Sequence, residues 1–169
     1  DYLRSGKSMK ETQSLIKDSI MLSKLGQIEA SESTSALLST MNAYDMSIEQ
    51  VDRALDAMVA IDMKAATSAG EIASALKYCA SNADLAGLSF NNLISIISTI
   101  QHKTGQAAEV VGTTMNTVLS RYKNVKLGNI TDEDGEDISN VETSLKSLGI
   151  QLRNSAHDFK DFDVVYHEV

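Results

Sequence analysis

The chain has 169 residues and a formal charge of −8, from 15 Lys and Arg against 23 Asp and Glu, with 43% apolar residues, one Cys and no Pro. The apolar fraction argues against wholesale disorder, the acidic balance argues against a nucleic-acid or anionic-lipid surface, and no apolar run approaches the roughly 18–20 residues of a membrane span. Because proline breaks helices, its absence favours an all-α chain and excludes all-β and collagen-like architectures.

Two helices are predicted in the first quarter of the chain. The first runs from about Ser8 to Leu25 and stops at Gly26, a residue typical of left-handed helix ends. Its apolar residues are expected on one side: Leu15, Ile16, Ile20 and Leu22. The second starts near Ser31 and ends at about Tyr44. It carries Leu37, Leu38 and Met41.

Three further helices begin at serine caps that are 21 residues apart. Ser47 with Gln50 and Ser68 with Glu71 form capping boxes, in which the hydroxyl accepts a backbone N–H that the helix start leaves unpaired. Ser89 opens the third of these helices. The apolar residues of each recur at spacings of three and four, so each helix buries one face. The stripes are Ile48, Val51, Leu55, Met58 and Val59; Ile72, Leu76, Cys79 and Ala83; and Phe90, Leu93, Ile94 and Ile97.

A sixth helix is predicted from about Gln106 to Tyr122. Gly87 and Gly105 stand before it where left-handed caps are expected. Gly112 inside it costs about 1 kcal/mol of helix propensity relative to alanine, so we expect a close helix contact there. Its stripe is Ala108, Val111, Met115, Val118, Leu119 and Tyr122. Short connections, with no period of repeated side chains, favour a compact bundle of about six to seven short helices with Gly- and Ser-capped connections over a solenoid.

The composition changes after this helix and divides the chain into three predicted parts. Residues 1–125 form the helical bundle core, and 126–137 form an acidic loop. Residues 138–169 hold a short helix to about Leu148, an irregular segment from Ile150 to Asp158, and the start of a helix cut off at Val169. A chain that starts without Met and stops inside a helix is expected to be a piece of a longer protein.

The acidic loop is the one candidate for a calcium site. With Gly135 at the sixth position of an EF-hand loop, Asp132 and Asp134 fall correctly at positions three and five. Positions one and twelve are then Ile130 and Val141, so two ligands are missing. A solvated turn is the favoured interpretation.

No catalytic, cofactor or metal site is predicted. His102, His157 and His167 are dispersed, without the paired spacing of a zinc site, and His102 suits the negative end of a helix. Cys79 lies on a buried stripe, where a single cysteine is more often a small core residue than a nucleophile. The glycines stand singly, so there is no phosphate-binding loop.

An ordered series of short phrases runs from the end of the first helix through the sixth. In order these are Leu25-Gly26-Gln27 to Met41-Asn42-Ala43-Tyr44, Val51-Asp52-Arg53-Ala54-Leu55-Asp56, Thr67-Ser68-Ala69-Gly70-Glu71-Ile72-Ala73, Ala86-Gly87-Leu88-Ser89, Thr104-Gly105-Gln106-Ala107-Ala108-Glu109, and Val118-Leu119-Ser120-Arg121. Their order and spacing resemble the N-terminal region of tail tape-measure proteins of long-tailed bacteriophages and prophages. The stretch from Val141 to Phe159 is similar to the segment that usually follows. Val111-Gly112-Thr113, where the family commonly has Ala-Gly-Thr, is a mild departure.

The resemblance implies a non-enzymatic virion protein that lies in the lumen of the phage tail, sets its length and leaves when DNA is ejected. It implies contacts with other copies of itself, the tail-tube protein, tail assembly chaperones and tail-tip proteins, and assembly in the cytoplasm of the bacterial host. No cofactor, specific nucleic-acid binding or membrane binding is expected of this segment. An acidic surface agrees, because it would not cling to DNA in the same tube.

Two other functions stay open. A bacterial helical adaptor would bind a protein partner through an apolar, Met-rich face, with Met41, Met46, Met58 and Met63 as candidates, although gap-filling in an aromatic-poor core is the simpler role for them. A small helical hydrolase would use the acidic loop as its active site, through Asp132 and Asp134.

Overall fold

Seven helices and one short hairpin make up the regular structure of the described residues. The structure is a computed structural model, which describes residues 2–65, 67–126, 142–143, 146–147, 150–155 and 158–168. The helices are α1 (Met9–Gly26), α2 (Ala30–Ala43), α3 (Ile48–Asp62), α4 (Ala69–Ala86), α5 (Phe90–Thr104), α6 (Ala108–Lys126) and α7 (Phe162–Glu168). Strands β1 (Arg153–Ser155) and β2 (Asp158–Phe159) pair antiparallel. The predicted all-α fold of six to seven helices is confirmed.

The helix ends follow the local sequence. Capping boxes stand at Ser47 and Ser68, as predicted, and also at Ser8. The Ser89 hydroxyl accepts the Asn92 N–H in front of α5. Gly87 and Gly105 have φ of 77° and 65°, the left-handed conformation that was expected of them. Helices α1 to α6 each run for about four or five turns. The connections between them are short enough for antiparallel and side-by-side packing.

Helix α4 is the centre of the bundle. It contacts α1, α2, α3, α5 and α6, and ten of its 18 residues are buried, six of them alanines. Small residues allow close approach: a Cβ at Gly112 of α6 would lie 2.5 Å from the Ala75 carbonyl oxygen of α4. The close contact predicted at Gly112 is therefore confirmed. A second close crossing joins Gly70 of α4 to Gly26 of α1, where a Cβ on either residue would overlap the other's backbone.

The predicted face of α1 is half wrong. Leu15 and Leu22 are fully buried, but Ile16 and Ile20 are 46% and 47% exposed. The buried face instead includes Ser19, whose carbonyl accepts the hydroxyl of Ser33 in α2 and whose hydroxyl bonds with the Tyr2 hydroxyl. These polar contacts and the close crossing at Gly26 turn the helix so that both isoleucines face outward. The left-handed residue at its end is accordingly Gln27 rather than Gly26.

Smaller differences concern three other positions. Helix α2 begins at Ala30 and has no side-chain cap. Val118 is 45% exposed, whereas Leu119 beside it is fully buried. Helix α6 continues one turn beyond the predicted end at Tyr122, to Lys126. Three of the four residues in that turn are polar, and Val125 alone does not make an apolar stripe in the sequence.

The C-terminal segment packs on the junction of α4, α5 and α6. The Tyr122 hydroxyl donates to the Lys160 carbonyl at 2.8 Å, and its ring meets that of Phe162 edge-on at 5.0 Å. The Ser89 N–H donates to Asp163 at 3.1 Å. The predicted irregular segment contains the hairpin except for Phe159, which was expected in the last helix and lies in β2. The last helix is present as α7, but it begins at Phe162.

Most of the acidic loop and of the short helix that follows it lies outside the described residues. Residues 142–143 and 146–147, within the predicted short helix, are helical. The division into a core, an acidic loop and a C-terminal part stays a prediction. Within the described ranges, no helix has both the length and the apolar character needed to cross a membrane.

Candidate interaction surface

The outer side of α1 carries a row of lysines. Lys10, Lys17 and Lys24 repeat every seven residues, which places them on one face of the helix, and all three are exposed. Beside the C-terminal end of this row lie Met21 and Leu25, with 42% and 44% of their surface exposed. In a chain with a net charge of −8, this helix therefore presents a basic and partly apolar face.

Helix α3 lies alongside α1 and carries a row of carboxylates. Glu49, Asp52 and Asp56 follow each other at spacings of three and four and are exposed. Seven residues further on, at the same face, Met63 is 83% exposed. As on α1, charged residues come first along this face and an apolar residue stands near its end. The three carboxylates outnumber Arg53, which is exposed beside Glu49, so the net charge of this face is negative.

The two helices run in the same direction. Their first turns line one cleft of about 480 Å³, with Lys7 and Lys10 on the α1 side and Glu49 and Asp52 on the α3 side. Met41 and Met46 also line this cleft. Further along, Asp18 of α1 faces Asp52 and Asp56 of α3. The lysine row and the carboxylate row therefore lie side by side on one side of the bundle, and they begin at the same level along the helix axes.

Asp18 is a buried carboxyl group at the contact between the two helices. Only 3% of its surface is exposed, and its Oδ2 has no hydrogen-bond partner among the described residues. Burial and then the nearby charge of Asp52, to which it is hydrogen-bonded, raise the pKa of Asp18 to about 6. The proton is held in the folded state because an ionised pair of adjacent carboxylates in this position is unfavourable.

The exposed charges of the two rows do not form ion pairs with each other, although Glu49 accepts the Ser47 hydroxyl at 2.9 Å. Ion pairs elsewhere in the described residues join Lys77 to Glu32, Lys126 to Asp161, Arg153 to Glu142 and Lys160 to Glu168. Within the same part of the chain, no ion pair within 4.0 Å involves the three lysines of α1 or the three carboxylates of α3. The surface therefore keeps exposed charges of both signs that have no ion-pair partner within 4.0 Å among the described residues. We call it the α1–α3 face, made of Lys10, Lys17, Lys24, Met21, Leu25, Glu49, Asp52, Asp56 and Met63.

The residues considered for chemistry are not brought together. Cys79 is fully buried in α4, and burial raises the pKa of its thiol to about 12, so it is the core residue that its stripe indicated. His102 and His167 are exposed on different helices, and His157 lies outside the described residues. In the part of the chain that is described, no three His, Cys, Asp or Glu side chains are grouped so that they could hold a metal ion. Asp132 and Asp134, the candidates of the acidic loop, are outside it.

The methionines do not form one groove. Met41 and Met58 are buried in the core, Met46 is half-buried, and Met63 is exposed. An apolar docking face built on these four residues, as the adaptor hypothesis requires, is therefore absent from the described structure. The α1–α3 face was not anticipated, although the lysine spacing in α1 and the carboxylate spacing in α3 are visible in the sequence.

A family model described as phage-related minor tail protein matches residues 1–169, which is the whole chain. In the comparison with solved structures, none matches this chain.

Proposed function

Because the chain belongs to the family of phage-related minor tail proteins, we propose that it is a folded segment of a tape-measure protein. Membership of the family gives the chain a structural role in the phage tail, and with it a place in the virion and contacts with other tail components. The proposal adds that the protein sets tail length, supports assembly of the tail tube and is released during DNA ejection.

The observation that carries this proposal is the match over all 169 residues, together with where the tape-measure-like phrases fall in the fold. The phrases from Gly26 to Tyr122 cover α2 to α6, which surround and include the central helix α4. They coincide with helix caps and close crossings, as at Ser68, Gly70 and Gly112. The resemblance therefore falls on residues that position the helices of this bundle, which supports the proposal.

The shape and charge of the bundle suit a role at one end of the ruler. Helices α1 to α6 are joined by short connections and pack together among the described residues, so this segment is not itself the extended rod that would measure length. A net charge of −8 disfavours adhesion to DNA that travels through the same tube. We infer that the segment docks on the tail tip or organises copies of the protein, which meet the tail-tube protein and the assembly chaperones in the host cytoplasm.

Tail length in mutant phages tests the proposal. The tape-measure function predicts that this segment is encoded within a long reading frame, and that in-frame deletions elsewhere in that frame shorten the tail in proportion to the residues removed. A matched deletion in another tail gene should not change the length of those tails that form. Tails of unchanged length in all viable deletions would contradict the measuring role while leaving the protein in the tail.

A bacterial adaptor is the other function considered. It would be favoured if the apolar residues exposed on α1, such as Met9 at 70% and Ile20 at 47%, bound a host protein. Tails that assemble normally without this chain, together with a stable complex between the chain and a host protein, would replace the tail proposal by this one.

A further inference from the structure

The α1–α3 face carries two parallel rows of opposite charge, and this arrangement restricts what can cover it. A nucleic acid or an anionic lipid surface would attract the lysines of α1 but would be repelled by Asp52 and Asp56 beside them. An acidic helix of another protein would satisfy the lysine row and leave the carboxylates of α3 unpaired. A partner that covers the whole face needs a basic row and an acidic row side by side in the opposite order.

A second copy of the chain meets this requirement by symmetry. Consider two copies whose faces meet and are related by a two-fold axis that runs between them, parallel to α1 and α3. The rotation exchanges the positions of α1 and α3 across the interface. It does not change the direction of a helix or the position of its residues along the axis. Helix α1 of one copy then lies against α3 of the other, and the reverse contact forms at the same time. Lys10 comes opposite Glu49 of the second copy, and Lys17 comes opposite Asp52 and Asp56.

The apolar ends of the two rows also meet in this arrangement. Met21 and Leu25 stand on either side of Lys24 at the end of α1, and Met63 comes after the carboxylates of α3. In the two-fold pair, Met21 and Leu25 of one copy lie opposite Met63 of the other. These side chains are 42%, 44% and 83% exposed in the single chain and would be covered in the pair. Apolar contact supplies the attraction, and the charge rows select the partner and the orientation.

We propose that the α1–α3 face is an interface between two copies of this chain, related by a two-fold axis parallel to these helices. The inference deepens the proposed function, on which it rests for the expectation that copies meet in the tail. Each copy contributes both rows, so the contact is isologous and closes as a dimer.

The size of the face makes the association weak and dependent on salt. The 15 residues of α3 span about 22 Å at about 1.5 Å per residue. Two helices side by side, at the roughly 8–10 Å usual between packed helices, give a face about 20 Å wide. This is smaller than a standard interface, which buries about 800 Å² per partner, so we expect a dissociation constant in the micromolar range or weaker. Charges at such exposed sites are screened within about 10 Å at 0.1 M salt.

Charge reversal and rescue test the interface. Sedimentation velocity of the 169-residue chain at about 100 µM should show a dimer in 50 mM NaCl, and the dissociation constant should rise at least about ten-fold in 500 mM NaCl. K10E/K17E places carboxylates on both rows, and E49K/D56K places lysines on both rows. Each variant alone should be monomeric, because both of its contacts become repulsive. An equimolar mixture should regain a dimer, because both contacts are again complementary.

Matched controls separate the interface from net charge and from misfolding. Lys103→Glu in α5 changes the net charge as Lys17→Glu does, but only Lys17→Glu should weaken the dimer. Circular dichroism and thermal melts should show that all variants keep the wild-type helix content.

Four results would overturn the proposal: a wild-type chain that stays monomeric at 100 µM, equal effects of Lys17→Glu and Lys103→Glu, a mixture that stays monomeric, or a closed assembly larger than a dimer. A monomeric chain that is nevertheless found in tails would remove the interface and leave the proposed function standing.

Discussion

Replacing Asp18 by asparagine should stabilise the protein at neutral pH. Asp18 is 3% exposed, and its pKa is raised from 3.8 to about 6 by burial and by Asp52. In the unfolded chain the carboxyl group loses its proton near its ordinary pKa. Between the two values the folded state binds more protons than the unfolded state, so this residue makes the free energy of unfolding fall as pH rises from about 4 to 6. Two pKa units correspond to about 3 kcal/mol, which is the destabilisation expected of Asp18 above pH 6.

Asparagine has the size of the aspartic acid and can donate to Asp52 as the protonated carboxyl does, without becoming charged. We expect Asp18→Asn to leave stability unchanged at pH 4 and to raise the free energy of unfolding by about 2–3 kcal/mol at pH 7.5. Urea denaturation of both proteins from pH 4 to 8 measures the difference. The control is Asp56→Asn, which removes an exposed charge near Asp18 and should have a much smaller effect. The raised pKa of Asp18 would be refuted if the difference in the free energy of unfolding between the two proteins did not change with pH. It would also be refuted if Asp18→Asn were less stable than the wild type at pH 7.5.

Three further predictions concern the core around α4. Leu76→Ala should lower the free energy of unfolding by about 2–5 kcal/mol, whereas Leu85→Ala, at a site 53% exposed on the same helix, should cost much less in the same urea titration. Gly112→Ala should lower the melting temperature in spite of the better helix propensity of alanine, because its Cβ would lie 2.5 Å from the Ala75 carbonyl oxygen; a higher melting temperature would contradict the close crossing. Cys79, whose thiol pKa is raised to about 12 by burial, should react with a thiol reagent at pH 8 only in urea, and rapid labelling of the native protein would contradict its burial.

Helices α3, α4 and α5 could be predicted with their buried faces because several local signals agree in each. At Ser68, for example, a capping box fixes the start of α4, and Ile72, Leu76 and Cys79 then follow at helical spacing. The cap determines where the helix begins, and the spacing determines which side is apolar, so no distant contact is needed to choose the face.

Helix α1 shows where this reasoning fails. Leu15, Ile16, Ile20, Met21 and Leu22 surround much of the helix, so apolar spacing alone selects no single face. The choice is made by contacts with distant residues: the close crossing of Gly26 with Gly70, and the hydrogen bonds of Ser19 to Tyr2 and Ser33. The spacing of apolar residues within α1 does not report these partners, which lie outside the helix.

The α1–α3 face could not be predicted from the sequence, because it too depends on contacts between helices. The seven-residue spacing of Lys10, Lys17 and Lys24 indicates one basic face, and the spacing of the carboxylates in α3 indicates one acidic face. The two helices lie side by side and run in the same direction. This arrangement depends on the path of the chain through α2, which follows α1 and precedes α3, and on the packing of α1 and α3 against α4. Only the structure joins the two rows into one surface.

Mass spectrometry of tails purified after induction of the prophage, or from the phage lysate, tests whether the protein is part of the tail. We expect intact tails to contain the tryptic peptides that end at Lys77 and Arg121, and we expect these peptides to map to a chain much longer than 169 residues. Complete tails that lack both peptides, while the chain is present in the host cell, would contradict a structural role in the tail.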